Sequence, residues 1–159
     1  MRFMLQVRLV ALVCALAAGM VRLDAAPAGG HDHAHPTEGP HHGTLIELGK
    51  EDYHAELVHD EATDTVTIHV LDSTATQTVP IPAKQLTLNM RTVGKPRQFT
   101  LPARPQDGDP AGSASAFAVT SDELCRLLDA HGASGRLNVE IGGKLYVGKV
   151  GGHTHDHAY

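Results

Sequence analysis

Histidine is the residue type in this chain most able to do chemistry. Of its twelve histidines, six form two HxHxH tracts, His31-Asp32-His33-Ala34-His35 and His153-Thr154-His155-Asp156-His157. In an extended chain, residues two apart point to the same side at roughly 6.6 Å spacing, so neighbouring imidazoles of such a tract can converge on one ion. Asp32 and Asp156 add a hard oxygen donor beside them. Imidazole with carboxylate suits zinc, copper(II), nickel or cobalt. Both tracts lie in Gly-, Ala- and Pro-containing ends without periodicity, and ordering such a tail costs roughly 1–2 kcal/mol per residue. The tails are therefore expected to hold metal weakly and exchangeably. His41 and His42 follow the first tract and extend the donor set. The plainer reading of the tracts is a polar tail whose histidines bind nothing specific.

A second donor group depends on strand pairing. Tyr53–Asp60 (YHAELVHD) and Thr65–Leu71 (TVTIHVL) each alternate apolar and polar residues around a polar loop at Glu61–Asp64. A two- or four-residue loop pairs residues whose numbers sum to 125, which sets Glu56 opposite His69 with His54 on the same face. Opposed Cβ atoms lie about 4.5–5.5 Å apart, close enough for joint coordination. The competing reading is a solvated strand face carrying a Glu–His pair. Cys125, within a helical pattern, reads as a small buried residue, with a thiol ligand or nucleophile as the alternative.

The elements that must position these groups are mostly strands. Leu86, Leu88 and Met90 alternate within Gln85–Val93, followed by Phe99 and Leu101, then Ala114–Thr120, and then Leu137, Val139 and Ile141. Leu145 and Val147 face that last set if Gly142, Gly143 and Lys144 form a three-residue loop. One helix is expected after Thr120 or Ser121, with Asp122 and Glu123 at its positive end, an apolar stripe of Leu124, Leu127 and Leu128, and Gly132 as its stop. About seven strands and one short helix predict a mainly β domain. The expected architecture is an antiparallel β-sandwich of immunoglobulin-like outline, with a compact barrel as the variant.

Export is expected from the N-terminus, where Arg2 and Arg8 precede the apolar run Leu9–Val21, too short for a membrane span. The division is a signal peptide over 1–26, a His-rich segment over 27–38, a β-domain over 39–150 and a His-rich tail over 151–159. Cleavage after Ala26 removes three arginines and one aspartate and moves the formal charge from −5 to −7. Nucleic acid is thereby disfavoured as a partner, and a monomer without stable membrane insertion is expected. Cys125 would then stand alone, with no disulfide to close. No nucleophile elbow, P-loop, dinucleotide fingerprint or HExxH is present, which argues against an enzyme.

Gly39-Pro40-His41-His42-Gly43, with Thr44–Gly49 (TLIELG) and Tyr53–Leu57 (YHAEL), resembles the small β-domain at the N-terminal end of some periplasmic adaptor subunits of cation-exporting resistance-nodulation-division pumps. There a GPHGG-like motif opens a strand pair. The resemblance is best from Gly39 to about Leu101, and the long hairpin and barrel of an adaptor are missing. It implies metal binding outside the inner membrane, a role for His41 and His42, and efflux-system components as partners. His42 departs from the motif by standing where glycine is usual. The alternative function is an envelope interaction module whose histidines are incidental or sense pH.

Overall fold

The computed structural model describes residues 37–91 and 95–151. The segment 1–26 expected to be a signal peptide and the tracts His31/His33/His35 and His153/His155/His157 lie outside the described residues. Among those described, no helix is long and apolar enough to cross a membrane.

The domain is mainly β, with eight antiparallel strands and one short helix. In chain order these are β1 (Thr44–Leu48), β2 (Tyr53–Asp60), β3 (Thr65–Leu71), β4 (Gln85–Arg91), β5 (Arg97–Arg104), β6 (Ala116–Thr120), α1 (Asp122–Asp129), β7 (Ser134–Ile141) and β8 (Lys144–Val150). They form one sheet in the order β1-β2-β3-β6-β5-β4-β7-β8. Strand β5 makes the sheet continuous: Arg97–Pro102 pairs with β4, whereas Ala103 and Arg104 pair with β6. The two layers of a sandwich are thus joined through one shared strand, and the sheet curls almost into a barrel. Its two edges meet where Gly148 of β8 packs on β1; a Cβ there would lie 2.4 Å from Ile46 Cγ2 and 3.0 Å from Leu48 Cδ2.

Alternation supplies the core. Ala55 and Leu57 of β2, Val66, Ile68 and Val70 of β3, and Leu86, Leu88 and Met90 of β4 all face inward and are buried with Leu101, Phe117 and Leu137. Around Asp60–Thr65 the four-residue loop is held by Asp60, which accepts hydrogen bonds from Ala62 N at 2.9 Å and Thr63 Oγ1 at 2.8 Å. Local side-chain acceptors of this kind favour a turn over continued strand.

The last hairpin departs from expectation. Ile141 pairs directly with Lys144, leaving a two-residue loop, Gly142–Gly143, whose φ values of 59° and 78° suit a type I′ turn. One residue fewer in the loop reverses the parity of β8. Tyr146, Gly148 and Val150 therefore face inward, while Leu145 and Val147, expected in the core, are 62% and 48% exposed.

Ser121 caps α1, its Oγ accepting from Leu124 N at 3.2 Å. The helix ends at Asp129 because Ala130 is already extended, before Gly132. Leu124 and Cys125 are buried beneath it.

Candidate metal centre

The register of the first hairpin places Glu56 opposite His69 and His54 opposite Leu71, the pairing in which numbers sum to 125. Glu56, His54 and His69 consequently share the outward face of β2 and β3. That face is not simply solvated, because Glu56 is fully buried. The Gly39–Gly43 turn folds over it. Gly39 N donates to Gly43 O at 2.9 Å and His42 N to Gly39 O at 3.0 Å, which closes the turn.

The Glu56 carboxylate binds the turn from beneath. Its Oε1 accepts from His41 N at 2.7 Å and Gly43 N at 2.8 Å, and its Oε2 lies 2.7 Å from His41 Nδ1. A carboxylate with three N–H groups converging on it is well satisfied, which is the condition for tolerating its burial. Gly39 leaves the room: a Cβ at that position would sit 2.5 Å from Glu56 Cδ. The glycine is thus required by close approach of backbone to carboxyl, and the turn and Glu56 form one structural unit.

Glu56 also decides which nitrogen of His41 is available. With Nδ1–H donating to Oε2, the neutral ring keeps its lone pair on Nε2, the tautomer and orientation that carboxylate partners impose on metal-binding histidines. The His41 side chain is 39% exposed, so an ion can reach it from solvent. The His41 and His69 rings stack with centroids 3.8 Å apart and planes 7° from parallel. Lone pairs of stacked rings lie in parallel planes and cannot meet at one ion. Joint coordination by both rings therefore requires His41 or His69 to rotate out of the stack, and the arrangement as it stands offers His41 as a single anchored donor.

The remaining expected ligands sit differently. His69 is half-buried, and its Nδ1 has no partner among the described residues. His54 is 9% exposed, and its Nδ1–H donates to the Asp72 carbonyl at 3.2 Å, a structural bond that fixes the ring. His42 is almost fully exposed, with Nδ1 2.6 Å from Glu38 Oε1. Its φ is +62°, a left-handed conformation that costs a non-glycine residue roughly 1–2 kcal/mol.

Burial, and then the neighbouring His41, hold the His69 imidazole below its usual value of 6.5, partly opposed by Glu56. Folding thus favours neutral His69, and below pH 6.5 the unfolded chain binds the extra proton. Its contribution to stability is complete above pH 6.5 and is lost as pH falls through the depressed folded value. Urea unfolding at steps from pH 7.5 to pH 5 should show this decline, and His69→Gln should flatten the slope; an unchanged slope would show that His69 carries none of it.

A second group was not expected from sequence. His59, Glu61 and Asp129 bring one donor atom each within 4.8 Å of one another, a set that could hold a metal ion. His59 and Glu61 lie at the β2 end and its loop, whereas Asp129 comes from α1, so only the helix packing reveals the group. Cys125, one helical turn before Asp129, is buried, and burial followed by the charges of Asp64, Asp129 and Glu61 pushes its thiol up. That environment suits a structural thiol rather than a nucleophile.

Comparison with known proteins gives no match: no family model fits the chain, and no curated protein or solved structure is significantly similar to it.

Proposed function

We propose that this chain is an exported, periplasmic-type protein that binds divalent transition metal ions and buffers or delivers them, without enzymatic activity. The observation that carries the reading is the 2.7 Å contact between His41 Nδ1 and the buried Glu56 carboxylate. It orients the partly exposed His41 ring in the turn over β2 and leaves Nε2 as the donor, as in carboxylate–histidine–metal arrangements. One anchored imidazole alone binds weakly. The neighbouring donors are His42 and His69 after release from the stack; the HxHxH tracts, with His31, His33, His35, His153, His155 and His157, add further imidazoles along the sequence that could complete a coordination shell. A shell assembled partly from tails exchanges its ion readily, which suits transfer better than storage. Zinc, copper(II), nickel and cobalt match the nitrogen and carboxylate donors. The resemblance to pump-adaptor domains supports heavy-metal efflux as the process served, with efflux components as partners.

Calorimetric titration of the full chain with zinc, nickel and copper(II) tests the proposal. Binding tighter than about 100 μM, corresponding to roughly 5.5 kcal/mol, is expected, with His41→Gln weakening the tightest site about tenfold or more. Weaker binding by the intact chain, or an unchanged His41→Gln isotherm, would defeat it.

A second reading, an envelope interaction module, is favoured by Leu145 and Val147, two exposed apolar side chains on the edge strand β8. It predicts a partner captured equally well with and without chelator, through a surface that Val147→Asp disrupts.

A further inference from the structure

His59 lies on the inward parity of β2, on the side of that strand opposite Glu56, and its side chain is only 15% exposed. Neither ring nitrogen makes a normal hydrogen bond. Nδ1 is 3.6 Å from Asp129 Oδ1, beyond N–H···O range, and Nε2 is buried without a partner. The spacing has a different natural interpretation. Two ligands each about 2.1 Å from a tetrahedral ion lie about 3.4 Å from one another.

The charges agree with that interpretation. Asp129 is the last residue of α1, where the helix carbonyls already present partial negative charge. Glu61 brings a second exposed carboxylate to the same place. Two carboxylates and a helix C-terminus thus converge on a single imidazole, an arrangement relieved by a cation. His59 and Asp129 border a cleft of about 420 Å³ whose other walls include His42, Gly43, Leu128 and Lys149.

We propose that His59, Glu61 and Asp129 form a second divalent-metal site, independent of His41. His59 Nδ1 and one oxygen from each carboxylate supply three ligands, and water supplies the fourth. The donor set of one nitrogen and two oxygens suits zinc or cobalt. Because the ligands come from β2, its loop and α1, an ion here ties the end of the helix to the first hairpin.

The test is an amide proton–nitrogen correlation spectrum of the full-length chain, titrated with substoichiometric cobalt(II) and then competed with zinc. Selective broadening is expected at residues 59–62 and 127–131. In His59→Gln and Asp129→Asn that broadening should vanish, while any broadening around 39–43 persists. Broadening confined to 39–43, or undiminished at 59–62 in His59→Gln, overturns the site. Broadening at 59–62 with none at 39–43 would instead sink the His41 reading and leave this one standing. If His59→Gln fails to fold, exposed Glu61→Gln decides: a roughly tenfold loss of zinc affinity at 59–62 with unchanged spectral dispersion supports the site, and unchanged affinity overturns it.

Discussion

Glu56→Ala should destabilise the domain by about 2–4 kcal/mol and also weaken the tightest metal binding about tenfold or more. The stability effect follows from the donors left behind. Gly43 N loses its acceptor in a buried position, and His41 N and Nδ1 lose theirs at part-buried positions where water replaces them only incompletely. Each buried donor left unsatisfied costs about 1–3 kcal/mol, and partial rehydration of the His41 groups keeps the total below the sum of three such losses. Against a net domain stability of about 5–15 kcal/mol this is a large effect. Glu56→Gln separates the two roles. The amide keeps one acceptor and nearly the same volume, so much of the fold survives, but it no longer offers a carboxylate to orient His41. A tenfold or greater loss of zinc affinity is expected, in line with removing an outer partner of a metal-binding histidine. Chemical denaturation and calorimetry on the same preparations give both quantities. A Glu56→Ala domain within 1 kcal/mol of the parent would refute the clamp, and wild-type affinity in Glu56→Gln would refute the orienting role.

Gly148→Val should cost about 2–4 kcal/mol, whereas Leu145→Thr three residues earlier should lie within about 0.5 kcal/mol of the parent. Both substitutions are on β8, yet only the first faces inward. At position 148 even a methyl group meets Ile46 Cγ2 at 2.4 Å, Leu48 Cδ2 at 3.0 Å and the Glu47 carbonyl at 3.3 Å. Two branches beyond that carbon must push β8 away from β1 or force the Ile46 and Leu48 side chains from their rotamers. Overpacking of this kind typically costs about 1–3 kcal/mol, and opening the sheet edge adds to it. Leu145 is 62% exposed, so replacing it disturbs little packing. Thermal unfolding of the two variants distinguishes them, and similar losses in both would show that the inward and outward faces of β8 are reversed.

The contrast between the two hairpins shows what alternation can reveal. For β2 and β3, the apolar residues of both strands fixed parity, and an even loop then set Glu56 against His69. For β7 and β8, apolar residues occur on both faces of β8: Leu145 and Val147 on one, Tyr146 and Val150 on the other. Hydrophobicity alone could not choose between them. The choice was made by two glycines with positive φ, which admit a tighter turn than the three-residue loop expected.

The site was legible in the same uneven way. A strand pair displays its cross-strand partners to anyone who knows the register, so the Glu56–His69 pair was within reach. The lid was not, because nothing in Gly39–Gly43 states that it folds onto the outer face of β2. A carboxylate on an outward parity position looks solvated until that turn covers it. His59 escaped for a related reason: it lies on the inward side of β2, and its carboxylate neighbour Asp129 arrives only through the docking of α1.

The strand order also bears on how the domain acquires its shape. β1, β2 and β3 pair as consecutive neighbours, and the turn that clamps Glu56 precedes them directly, so the His41 unit can form within one short stretch of chain. The remainder must wait for β3 to find β6 and for β4 to find β7, pairings between segments far apart in sequence. Such non-local closure slows folding into the range of milliseconds to seconds. A chain emerging from its N-terminal end would therefore assemble its anchored histidine early, while most of the sheet was still seeking its partners.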